Sequence, residues 1–155
     1  MTYRLAAHGL SIVVPTGWEA SITLTHGDGP GENGAEGTDH AVLHLANFAL
    51  PNPRGDFGGS PIDTMASNQI FLALVEFDSA AASAPLYRQR GLATITADGF
   101  RRETMHRPVP GQAGHQQFFN EAGRAFCLYS AVGSYRRRQQ LATGVMMVMS
   151  TLRID

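Results

Sequence analysis

Gln69-Ile-Phe-Leu-Ala-Leu-Val-Glu-Phe77 is the stretch on which the fold turns. Its unbroken apolar run reads as a strand at the centre of a sheet, the strongest such segment in the chain. Upstream, Ala41-Val-Leu-His-Leu-Ala-Asn-Phe-Ala-Leu50 alternates Leu43, Leu45, Asn47 and Ala49 with Val42, His44, Ala46 and Phe48. Both sets are largely apolar, so a second strand covered on both sides is expected. Downstream, Arg124-Ala-Phe-Cys-Leu-Tyr-Ser-Ala-Val132 is a third. Residues 100–106 and 115–119 are weaker strands, separated by the turn residues Pro108-Val-Pro-Gly111.

Towards the amino end, Leu10-Ser-Ile-Val-Val14 stops at Pro15-Thr-Gly17. Trp18-Glu-Ala-Ser-Ile-Thr-Leu-Thr25 then places Trp18, Ala20, Ile22 and Leu24 on one face, and the two segments read as a hairpin. Residues 26–38 hold five glycines, a proline and three acids, the composition of a surface loop, and a second glycine- and proline-rich loop covers 51–61. The alanine-rich residues 78–84 suit a helical turn before Pro85. At the carboxyl end Ser134 is a suitable N-cap. Leu141, Val145, Val148 and Leu152 trace one apolar helical stripe, widened by Met149. The tail Ser150-Thr-Leu-Arg-Ile154 continues that helix or returns to the sheet as a short strand. Seven or eight strands with one late amphipathic helix predict an α+β fold: an antiparallel sheet flanked by helices, with residues 1–155 as a single domain.

A chain of 155 residues, 43% hydrophobic and 16% charged, can hold such a core without staples. The one cysteine, Cys127, excludes an intrachain disulfide and reads as a small buried hydrophobe. No apolar run approaches a membrane span, and the amino terminus lacks the pattern of a signal peptide, so a cytoplasmic location with no membrane partner is expected. All 12 basic residues are arginine, which fits a GC-rich coding sequence and excludes lysine-dependent chemistry such as Schiff bases and the phosphate-loop lysine. The net charge of −1 hides an asymmetry. Residues 1–80 carry nine acidic and two basic side chains, a net of −7; residues 81–155 carry four acidic and ten basic, a net of +6. Either the halves interleave and neutralise one another, or the surface is dipolar and docks a charged partner or a second copy.

Gly9-Leu-Ser-Ile-Val-Val-Pro-Thr-Gly-Trp18, a short strand followed by proline, glycine and tryptophan, resembles the opening of PsbP-like domains. The carboxyl end is also similar, where a strand with Phe126 and Tyr129 at its centre leads into an amphipathic helix and a closing strand. The resemblance covers about the first 25 and last 35 residues. It implies an antiparallel sheet between helices and a mostly non-enzymatic function as an accessory, adaptor, chaperone or assembly component. No functional residue carries over, because the matching Pro15, Gly17 and Trp18 are structural.

Several apparent motifs fail on their chemistry. Gly29-Pro-Gly-Glu-Asn-Gly34 spells a dinucleotide fingerprint, but its acidic surroundings would repel a pyrophosphate. Asp56-Phe57-Gly58 spells the kinase metal-binding triplet in a chain too short for a kinase and without its lysine, and Arg54-Gly55-Asp56 is an adhesion tripeptide in a chain expected to be intracellular. Asp28, Glu32, Asn33, Glu36 and Asp39 miss the ordered positions of a calcium loop. His40 and His44 would lie about 13 Å apart on a strand, too far for one ion, so no metal and no cofactor is expected.

The feature that carries a hypothesis is Arg136-Arg137-Arg138, placed in the first turn of the terminal helix. Positive charge there opposes the helix macrodipole by about 0.3–1 kcal/mol per charge. An anion or an acidic protein partner would relieve it, because backbone N–H groups and guanidinium forks converge. Nucleic acid is a weaker partner for a chain that is not basic overall. The sequence thus favours a non-catalytic interaction domain. The alternative is a small-ligand binder or enzyme with a pocket under loops 26–40 and 51–62, near His40, His44 or His115. A closed, polar-lined pocket with two histidines in hydrogen-bond range would favour catalysis, and a flat apolar patch partner binding.

Overall fold

The computed structural model describes residues 1–25, 39–52 and 54–155. Within them the chain is a mixed α+β structure of two antiparallel sheets and one main helix. The strands are β1 (Tyr3–Ala7), β2 (Leu10–Val14), β3 (Glu19–Thr25), β4 (His40–Ala46), β5 (Ile70–Phe77), β6 (Ala113–Glu121), β7 (Arg124–Val132) and β8 (Arg153–Ile154). A single turn of helix, α1 (Ser60–Asp63), precedes β5, and α2 (Arg138–Met149) precedes β8. The large sheet runs β3-β4-β5-β7-β6 and the small one β1-β2-β8. No helix among the described residues is long and apolar enough to cross a membrane.

The apolar run at the fold's centre is β5, paired with β4 on one side and β7 on the other. Its alternation divides the molecule into two apolar layers. Ile70, Leu72 and Leu74 join Leu43, Leu45, Phe126 and Leu128 in the main core, closed by β2 and by Leu141, Val145, Val148 and Met149 of α2. Phe71, Ala73 and Val75 join Val42, Ala46, Tyr129 and Ile62 on the opposite face, with Phe48, Leu50, Phe57 and Met65 packed against them. Burying each large aliphatic of α2 contributes roughly 1.5–3 kcal/mol, and this packing holds a helix of only 12 residues.

The hairpin expected of residues 10–25 does not form. Trp18 N–H donates to the Pro15 carbonyl at 3.1 Å, and Gly17 takes φ +85°. This is a type II turn, whose twist splays the flanking strands instead of pairing them. The chain therefore passes from the small sheet to the large one, and Trp18 packs half-buried against the main core. Two-residue turns close the β1–β2 and β6–β7 hairpins, each with both turn residues at positive φ: His8 (53°) with Gly9, and Ala122 (54°) with Gly123. Residues 100–106 form no strand. Arg101 makes one two-bond bridge to Gly114, after which the chain turns away and Met105 tucks against Gly114. Of the two readings of the tail, the closing strand holds: Leu10 pairs with Ile154 and Ser11 with Arg153.

The acidic and basic halves lie side by side in both sheets and meet at one seam in each, β5 against β7 and β2 against β8. Glu76 on β5 bonds Arg124 on β7 at 2.6 Å, and Asp63 meets Arg107 at 2.9 Å. Arg124 also donates to the carbonyls of His8 and Asp155, so one guanidinium joins the large sheet to the β1–β2 turn and to the residue after β8.

Candidate functional site

The arginine cluster sits where β7 hands over to α2. Gly133 N–H donates to Gln69 O at 2.9 Å and Tyr135 N–H to Gly111 O at 2.7 Å, fixing the entry. Ser134 Oγ accepts from Arg137 N–H at 3.3 Å, so it caps a turn that precedes the helix rather than the helix itself. The helix begins at Arg138, with Arg137 at the N-cap position and no side-chain cap. The expectation that all three arginines occupy the first helical turn is corrected: only Arg138 does. A run of three arginines offers no capping oxygen, so the chain makes one extra turn before the helix starts.

The three side chains diverge. Arg136 and Arg137 are exposed and make no side-chain hydrogen bond or ion pair among the described residues. Arg138 is half-buried, its guanidinium 4.1 Å from the centre of the Tyr135 ring, with Nη1 donating to Tyr135 O at 3.1 Å. The Arg102 guanidinium lies 4.5 Å from the same ring, so Tyr135 holds two cations near the helix entry.

Arg136 and Arg138 line an open groove of about 830 Å³ beside α2; Arg137 does not. One wall is the helix surface from Gln139 to Met147, and the other is residues 95–98. Met147 is 65% exposed there, and Asp98 is the sole carboxylate of the lining. From Arg138 to Met146 the helix rises about 12 Å. The groove is therefore cationic at the helix entry and soft and apolar at the other end. Sequence reading found its charged end through the arginine run. It missed Met146, Met147 and the opposite wall, which lie outside the buried stripe and come together only when residues 95–98 fold over the helix.

The histidines do not converge. His44 is buried on the Phe71 face of β4, bonded to Arg54 and Asp56. Its Nδ1 accepts from Arg54 Nε at 2.8 Å and its Nε2–H donates to Asp56 O at 2.6 Å, while Arg54 also donates to Pro51 O and Ser21 Oγ. Burial, with the nearby Arg54 charge, holds the His44 imidazole below its ordinary range. His115 lies on the other face against Gly99, also held low by burial, and its Nε2 accepts from Gln117. His40 stands at the edge of β4, paired with Thr25. His44 and His115 serve as braces, and no two of the three are within hydrogen-bond range. Cys127 is buried and its thiol is pushed up to about 12, which suits packing and not nucleophilic attack. The stretch 29–34 and Asp28, Glu32, Asn33 and Glu36 lie outside the described residues. Among the described residues no three histidine, cysteine, aspartate or glutamate side chains gather as a metal site would require. Comparison with protein-family models, curated proteins and solved structures finds no match to this chain.

Proposed function

We propose that residues 1–155 form one non-catalytic interaction module, PsbP-like in architecture, that takes a short acidic and apolar segment of a partner protein in the groove beside α2. The observation that carries this reading is the groove's polarity, with Arg136 and Arg138 at one end and the exposed Met147 at the other. The cationic end would be strengthened by the helix amino terminus, and carboxylates seated there form charge-assisted hydrogen bonds. The methionine end suits an aromatic or leucine side chain, since thioethers adapt to varied apolar shapes.

A synthetic peptide with paired glutamates at one end and leucine and phenylalanine at the other tests it by calorimetry. Arg136→Ala with Arg138→Ala should weaken binding about tenfold. It should also flatten the salt dependence and leave the circular dichroism unchanged. Absence of binding, or equal affinity for a peptide with glutamine in place of glutamate, would remove the reading.

A further inference from the structure

The opposite face of the large sheet carries a second, smaller cavity with a different chemistry. It measures about 270 Å³ and is walled by Phe57, Ile62, His106 and Tyr129, with Gly55 and Gly59 in its lining and the Asp63–Arg107 ion pair completing it. The His106 and Tyr129 rings lie 4.0 Å apart at 32°, and Phe57 stands 4.8 Å from His106 and 6.0 Å from Tyr129, edge-on to the latter. The cage is held from behind. His44 fixes the loop that presents Phe57 through Arg54 and Asp56 O, and Tyr129 Oη accepts from the His106 N–H at 3.1 Å.

Three features of the cage define its ligand. A cavity of ~150 Å³ holds one benzene, so this one has room for a fused bicyclic ring. Three ring walls at tilted angles offer edge and face contacts to a planar aromatic. In the Nε2–H tautomer His106 donates to Gln116 Oε1 at 2.7 Å, and Nδ1 is then an acceptor with no hydrogen-bond partner among the described residues. Among the described residues the lining holds one carboxylate and one guanidinium, Asp63 and Arg107, which are paired with each other, and this favours a neutral ligand. We infer that this cavity binds a neutral planar aromatic molecule of indole size that donates one N–H to His106 Nδ1. The site is separate from the α2 groove and does not depend on it.

Indole and N-methylindole are the probes, titrated into the full chain by calorimetry and followed by amide NMR shifts. Indole should bind saturably at one site and shift the amides of residues 55–63 and 105–107. N-methylindole, which lacks the donor, should bind about fivefold more weakly. Gly55→Phe should abolish binding with the fold intact, because a Cβ there meets nothing within 4 Å and Gly55 lines the cavity. The paired Arg136→Ala and Arg138→Ala changes should leave indole binding untouched. No saturable binding at millimolar indole, equal affinity for both probes, or unchanged binding in Gly55→Phe would each overturn the assignment.

Discussion

At the scale of single residues, His44 shows how a polar group is admitted to an apolar layer. Both ring nitrogens are satisfied, but only in the neutral form, since protonation at Nδ1 would face the Arg54 guanidinium. Because the folded state holds His44 and His115 below 6.5, the unfolded chain binds protons more readily. Their contribution to stability is therefore complete above 6.5 and is lost as pH falls through the lower folded values. Urea unfolding at a series of pH values should show this decline, and His44→Gln should make it shallower. Identical slopes for the two proteins would count against the His44 contribution. Glu76 acts the same way at lower pH. Burial pushes its carboxyl up, but hydrogen bonds from Arg124 and Ala41 N–H outweigh that and hold it below 4.5.

At the scale of elements, the turns decide which strands pair. The β6–β7 hairpin is closed by Ala122 at φ 54°, a conformation that costs an alanine about 1 kcal/mol and a glycine little. Ala122→Gly should therefore leave the structure unchanged and raise its stability by about 1 kcal/mol, read as a higher urea midpoint at constant m-value. A lower midpoint would mean the left-handed turn is not the one the hairpin uses. Gly133 marks the opposite constraint. A Cβ there would overlap the Ala66 carbonyl, so the entry to α2 passes against the 66–69 turn with no room to spare.

At the scale of the whole molecule, Arg124 is the joint between the sheets. It bonds Glu76 within the large sheet and the His8 and Asp155 carbonyls of the small one, and its side chain is 17% exposed. Arg124→Met keeps the stem but leaves Glu76 half-paired and two carbonyls without this donor. The cost should be about 2–3 kcal/mol. Hydrogen exchange should rise in β1, β2 and β8 more than in β4, β5 and β7. Uniform exchange across both sheets would show that Arg124 does not join them.

The sequence by itself determined the interior. The alternation at 42–48, the apolar run at 70–75 and the stripe of α2 depend on local period and composition, and they fixed β4, β5, β7 and the α+β class. The arginine run likewise announced a cationic end to the last helix. Tertiary structure decided what those local signals leave open. A turn between two strands does not state whether they pair, which is why Pro15-Thr-Gly17 read as a hairpin and proved a crossing between sheets. The groove wall at 95–98 and the ring cage of Phe57, His106 and Tyr129 are assembled from segments far apart in the chain. No period within any one segment encodes their meeting; the packing of the sheets brings them together.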